Sequence, residues 1–213
     1  MDHAILKELV ARKIKDPDVL WLVGHIVDGS NPQEDVQHYF PGDDLFTPGE
    51  HQRGIPIGNQ TSQFFANVYL DPLDHFVKER LRFKGYVRYV DDFLLFSNDK
   101  RQLNEARERI SEFLIQLRLR LHPRKNTIFP VEEGIRFLGY RVFPTHRLLA
   151  KEIVWRFLRR VRRMQNDYRD GGITLSEIKQ RLMSWSGHAR QADTHSLRES
   201  LFDAISFQRA TAE

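Results

Sequence analysis

Residues 86–98 read YVRYVDDFLLFSN, two short runs of β-branched and aromatic residues that meet at an acidic pair. Such runs on either side of a break form the pattern of a β-hairpin, which sets Asp91 and Asp92 at its tip. Adjacent carboxylates repel unless a cation or solvent neutralises them, and a divalent metal is the natural partner. Because side chains alternate across a strand, the two cannot both face one site in ideal extended geometry. Asp91 is therefore read as the stronger ligand and Asp92 as the weaker or indirect one. Acidic pairs at turns are also commonly just solvated, and the hairpin alone does not decide between these readings.

Upstream, Phe64, Phe65, Val68, Tyr69, Leu73, Phe76 and Val77 fall at helical spacing from Thr61 to about Leu81, with Pro72 placed to kink or split the helix. A surface helix is read from His3 to Ile14, with Asp2 as its N-cap. A second runs from Asp18 to about Val27, and residues 29–53 read as loop. Downstream come an amphipathic helix from about Arg101 to Leu117 and strands near Thr127–Val131, Ile135–Phe143 and Arg147–Leu149. From Lys151 the pattern is wholly helical, with breaks at Gly171-Gly172 and around Ala192-Asp193. This order gives an α+β fold class with two regions, 1–150 mixed and 151–213 helical.

With 213 residues, 40% of them hydrophobic, the chain can bury a sizeable core. Its longest apolar runs fall far short of the roughly 20 residues that cross a bilayer, and no signal-peptide core opens the sequence. The chain is read as soluble and cytoplasmic, with no membrane partner. No cysteine is present, so disulfides, thiolate zinc sites and cysteine nucleophiles are excluded and any metal must be held by oxygen or imidazole. The net charge of +4 is unevenly placed: residues 1–150 carry 21 basic and 21 acidic side chains, whereas 151–213 carry 12 and 8. Ile153, Phe157, Val161, Met164 and Tyr168 form a core stripe in that second region, and Arg156, Arg159, Arg160, Arg162 and Arg163 cover its other faces. That surface suits the sugar-phosphate backbone of a nucleic-acid duplex, the alternative being simple solvation; the local charge excess favours binding.

Four segments, in order, resemble motifs of the reverse transcriptase family: GIPIGNQTSQFFANVYL at 54–70, YVDD at 89–92, LHPRKN at 121–126 and FLGYRV at 137–142. WSGHARQADTHSLRESLF at 185–202 is similar to the thumb of bacterial members, so the resemblance covers nearly the whole chain. It implies a right-hand polymerase: a partial palm at 1–150 without its fingers, then an α-helical thumb at 151–213. It implies RNA-directed DNA polymerase activity, with Asp91 and Asp92 catalytic and binding Mg²⁺, or Mn²⁺ in its place. Nucleotide and template would meet Gly54, Pro56, Gly58, Ser62, Gln63, Tyr89 and Lys125. Leu138, Gly139 and Tyr140 would form the primer grip, and Arg156, Arg159, Arg160 and Arg163 would hold the duplex backbone. The implied partners are an RNA template, a DNA primer and dNTPs.

Read on their own terms, Gly54 and Gly58 allow close backbone approach to a ligand, or belong to an ordinary turn before a helix. Tyr89 either stacks on the primer terminus or is core, and the resemblance favours the first. Lys125 is a point charge for phosphate or a solvated loop lysine. Group II intron enzymes usually carry Gln-Gly and Ser-Pro where this chain has Ile57-Gly58 and Ser62-Gln63. Serine-glutamine is the form of diversity-generating retroelements, which implies a small basic accessory protein as a further partner. In the family, another essential aspartate stands on a strand just ahead of the helix that opens this chain. Asp2 matches the helix-start position and takes no metal role, so the expectation is a truncated chain, incomplete as a polymerase without a fingers segment. A non-catalytic RNA- or DNA-binding remnant is the alternative.

Overall fold

The computed structural model describes residues 1–29, 39–55 and 60–209, which fold as two compact units, Met1–Ile128 and Phe129–Glu213. Its mixture of helices and small sheets agrees with the α+β expectation.

The first unit opens with α1 (His3–Lys13), capped as expected by the Asp2 carboxylate, which accepts the Ile5 N–H at 3.1 Å. Asp16 caps α2 (Pro17–Asp28), where Pro17 occupies a first-turn position whose missing N–H costs nothing. After the single turn α3 (Thr47–Glu50) comes α4 (Gln60–His75). Pro72 does not split α4, which runs into a π-helical turn at Phe76–Arg80 closed by the Leu81 N–H to the Phe76 carbonyl at 2.9 Å. The hairpin follows, β1 (Gly85–Tyr89) and β2 (Asp92–Phe96), then α5 (Lys100–Gln116).

One core joins these elements. Leu6 and Val10 of α1, Val27 of α2, Phe65, Tyr69 and Leu73 of α4, Val77, and Ile110 and Leu114 of α5 are buried together, with Tyr86, Phe93 and Leu95 of the hairpin packed against them. Each such side chain contributes about 1.5–3 kcal/mol by leaving water. Tyr69 is wholly buried, yet its hydroxyl donates to the Leu117 carbonyl at 2.6 Å and accepts the Asp2 N–H at 3.1 Å. No polar atom of the ring is left unpaired.

The second unit begins with a 3₁₀ turn at Val131–Glu133 and an antiparallel meander, β3 (Ile135–Phe137), β4 (Tyr140–Val142) and β5 (Arg147–Leu149). The strand expected at Thr127–Val131 does not form; Pro130 has no N–H for a ladder, and Phe129 and Val131 stay exposed. The strand expected over Ile135–Phe143 is two strands folded at Leu138-Gly139, whose φ values of 51° and 85° give the primed turn that matches strand twist. Glycine suits the positive φ at 139, and a Cβ there would displace the tip of Ile153, whose Cδ1 lies 2.6 Å from its position.

Among the described residues, the helices α6 (Lys151–Arg169), α7 (Leu175–Ala189) and α8 (His195–Asp203) follow, broken where the glycine and alanine-aspartate pairs suggested. The stripe Phe157, Val161, Met164 and Tyr168 is buried, with Ile153 packed beside it. Phe157 stacks on Trp185 at 3.7 Å between ring centroids, and Phe202 meets both edge-on. The meander thus shares a unit with the helices, and the boundary between compact units lies at 128/129 where the sequence pattern changes at 150/151.

Candidate active site at the hairpin tip

Tyr89 pairs with Asp92 across the hairpin, leaving Val90 and Asp91 as a two-residue turn. Val90 has φ of 54°, a left-handed value that a β-branched side chain strongly disfavours. Asp91 and Asp92 are both exposed, and neither carboxylate has a hydrogen-bond or ion-pair partner among the described residues. Asp91 sits in the turn and Asp92 opens β2, so the two are not successive residues of one extended strand.

The two faces of the hairpin differ. Tyr86, Phe93 and Leu95 meet the core, whereas Val87 and Tyr89, 48% and 52% exposed, and Phe96 present an apolar face to solvent beside the carboxylates. Tyr89 is therefore not core. Beneath the tip, Arg88 reaches α4: Nε and Nη2 donate to the two oxygens of Asp74 at 2.8 and 2.5 Å, and Nη1 donates to Asn67 Oδ1 at 2.9 Å and to the Val90 carbonyl at 2.8 Å. The Tyr86 hydroxyl adds a bond to Asp74 at 2.7 Å. Burial raises the Asp74 pKa, but the hydrogen bonds from Arg88 and Tyr86 outweigh it and hold the carboxyl below its ordinary range. Sequence reasoning missed this cluster. A signal existed: Arg88 occupies the strand register of Tyr86, the inward one, and an inward-facing charge requires a partner.

Among the other residues singled out, Ser62 and Gln63 lie in the first turns of α4, Ser62 buried and Gln63 exposed one turn before Asn67. The Asn67–Arg88 bond thus ties that stretch of helix to the hairpin. Gly54 has φ of 125° and donates its N–H to the Met1 carbonyl at 2.9 Å. Pro56 and Gly58 lie outside the described residues. Lys125 is exposed in the turn after α5, without an ion-pair partner among the described residues and without a bond to the hairpin.

In the second unit, Leu138 and Gly139 form the β3–β4 turn, and Tyr140 donates its hydroxyl to the His188 carbonyl at 3.0 Å. Arg156, Arg159, Arg160 and Arg163 are exposed on α6; Arg156 Nε donates to the Glu152 carbonyl at 3.3 Å and its charge also acts on the Glu152 carboxylate, whereas the other three make no ion pair among the described residues. Trp155, 68% exposed, lies one turn before Arg159.

Asp2 has a different environment. It is 1% exposed, its carboxylate is bonded by His51 Nδ1, and Arg118 Nε lies 3.7 Å away. Arg118 in turn grips Asp43 through two bonds of 2.8 Å. Asp2 is thus a committed structural carboxylate, as its helix-start position implied.

Both tip carboxylates are exposed and make no hydrogen bond or ion pair among the described residues, and carboxylate oxygen is the donor type that a hard divalent cation takes. No group of three or more acidic or imidazole side chains placed for a metal occurs among the described residues. Nor is any described helix long and apolar enough to cross a membrane.

The mixed helix and sheet architecture is compatible with the class to which the sequence motifs pointed, and the family comparison shows that class. The chain belongs to the reverse transcriptase (RNA-dependent DNA polymerase) family, whose model matches residues 5–142. Protein P of Duck hepatitis B virus (strain Germany/DHBV-3) is 34% identical over 109 residues, 51% of this chain and 14% of that protein. Protein P of Heron hepatitis B virus is 31% identical over 109 residues, with the same coverage of 51% and 14%. The matched region therefore spans about 14% of the length of these curated relatives.

Proposed function

We propose that this chain is the palm and thumb portion of an RNA-directed DNA polymerase of the right-hand type, with Asp91 and Asp92 as the metal-holding carboxylates of nucleotidyl transfer. The observation that carries it is the pair of exposed, unpartnered carboxylates on a strained hairpin turn in a chain of this family. In that reaction the primer 3′-hydroxyl attacks the α-phosphorus of a dNTP, and the bond to the bridging oxygen breaks to release pyrophosphate. Mg²⁺ or Mn²⁺ held at the tip would supply positive charge to the attacking and leaving oxygens. Tyr89, on the apolar face beside Asp92, offers its ring to the primer-terminal nucleotide, and Gln63 offers amide groups to a base or sugar. Lys125 provides a point charge for phosphate.

The Leu138-Gly139-Tyr140 turn is the primer grip in this reading. The arginines of α6 bind the backbone of an RNA–DNA hybrid without reading its sequence, and Trp155 among them offers a stacking surface. A two-metal clamp holds its ions about 3.5–4 Å apart and draws on carboxylate oxygen beyond the tip pair. Ser62-Gln63 favours the diversity-generating retroelement type, with a small basic accessory protein as partner and a cytoplasmic location.

The test is Mn²⁺ binding to the chain, measured with Asp91→Ala beside the parent, together with Mg²⁺-dependent primer extension on RNA. Asp91-dependent metal binding, with extension that Asp91→Ala abolishes, supports the proposal. Salt-sensitive duplex binding without Asp91-dependent metal binding would instead assign the chain to the non-catalytic nucleic-acid-binding reading, which the uncommitted arginines of α6 also favour.

A further inference from the structure

We propose that Arg88 is a positioning residue for the hairpin tip: anchored on Asp74, its guanidinium holds the Val90 carbonyl and so maintains the turn that presents Asp91 and Asp92. The inference rests on the reading of the tip as a cation site and deepens it.

The starting point is the backbone of Val90. A β-branched residue at φ of 54° persists only where its surroundings over-determine it. The turn itself supplies little of that determination, since Asp91 is exposed and its side chain bonds nothing among the described residues. Arg88 supplies it from below. Nε, Nη1 and Nη2 place donors on both Asp74 oxygens, on Asn67 and on the Val90 carbonyl, with the side chain only 9% exposed. Asp74 and Asn67 both belong to α4, and the Tyr86 hydroxyl fixes the Asp74 carboxylate from the strand side. The turn is thereby referenced to a helix in the core rather than to a loop. Only a planar fork can serve these acceptors together; an ammonium is a point charge and cannot hold a bidentate carboxylate and the turn carbonyl in one geometry.

Two substitutions in the full chain test this, read by amide hydrogen exchange across residues 86–96 without metal and by Mn²⁺ affinity. Arg88→Lys keeps a cation facing Asp74 but loses the fork. Exchange at the tip should accelerate, and Mn²⁺ binding should weaken by about ten- to a hundredfold, the usual range when a group that orients a metal ligand is lost. Val90→Gly lets the turn adopt its φ without help. In that background Arg88→Lys should cost only a few fold.

Equal losses in both backgrounds would reduce Arg88 to a packing residue, and unchanged exchange in Arg88→Lys would overturn the proposal outright. Should Arg88→Lys melt at the assay temperature, Arg88→Gln with Asp74→Asn removes the fork without stranding a buried charge, and the same outcomes apply. A parent chain with no Asp91-dependent Mn²⁺ binding would defeat the cation reading. The exchange arm would still decide the clamp: lost tip protection restored by Val90→Gly supports it, and unaltered protection refutes it.

Discussion

Two pairs of aspartates in the first unit have opposite fates. Asp2 and Asp43 are buried around Arg118, with His51, the Phe40 N–H and the start of α1 taking up their oxygens. Asp91 and Asp92 stand in solvent with their oxygens uncommitted among the described residues. The buried carboxylates are satisfied by the fold and can hold it together; the exposed ones are left over by the fold and remain available to a ligand. Availability at the tip is itself built, because the nearby charges of Arg88 and Asp74 are spent on each other and on the Val90 carbonyl.

This contrast breaks most sharply at Asp91. Asp91→Ala should abolish tip-dependent Mn²⁺ binding and lower any RNA-templated extension on the order of a thousandfold, while thermal unfolding stays at the parent value. Asp2→Ala should do the reverse. Stranding part of a buried charge network and losing a helix cap should cost about 3 kcal/mol, read from urea unfolding.

Binding at the second unit should be separable from both. Replacing Arg159 and Arg163 with Gln should weaken binding to an RNA–DNA hybrid and flatten its salt dependence by roughly 0.7–0.9 in log–log slope for each phosphate no longer neutralised, as measured by titration at several salt concentrations.

The smallest expected effect is acid sensitivity at Asp43. Hydrogen bonds from Arg118 and from the Phe40 N–H lower its pKa from 3.8 to about 2. A depressed carboxylate contributes stability that is fully present above its unfolded pKa and is lost as pH falls through the folded one. Stability should therefore decline between about pH 4 and pH 2. Asp43→Asn should flatten that decline in unfolding curves collected across this window.

Much of this was legible in the sequence, for identifiable reasons. The hairpin was readable because its apolar runs alternate around an acidic break, and the α6 core stripe because its period is that of a helix. Asp2 was readable as a cap because a carboxylate preceding a helical pattern has one dominant local use. Less legible was the region from Thr127 to Phe143, where β-branched and aromatic residues suggested strands. Only pairing partners settle strand limits, and here they left 127–130 without regular structure and folded 135–142 back on itself. The inward register of Arg88 signalled that it needs a partner, but Asp74 could not be picked out as that partner because it lies 14 positions away on a different element.

By itself, the sequence determined the periodic elements, the two adjacent carboxylates at a turn and the concentration of positive charge on α6, since these depend on local spacing and composition. Tertiary structure alone decided which carboxylates are consumed and which stay free, for that depends on which groups the packed core brings within hydrogen-bonding distance. An aspartate is the same acid at positions 2 and 91; burial against His51 and Arg118 makes one a support, and exposure on a hairpin turn leaves the other facing solvent.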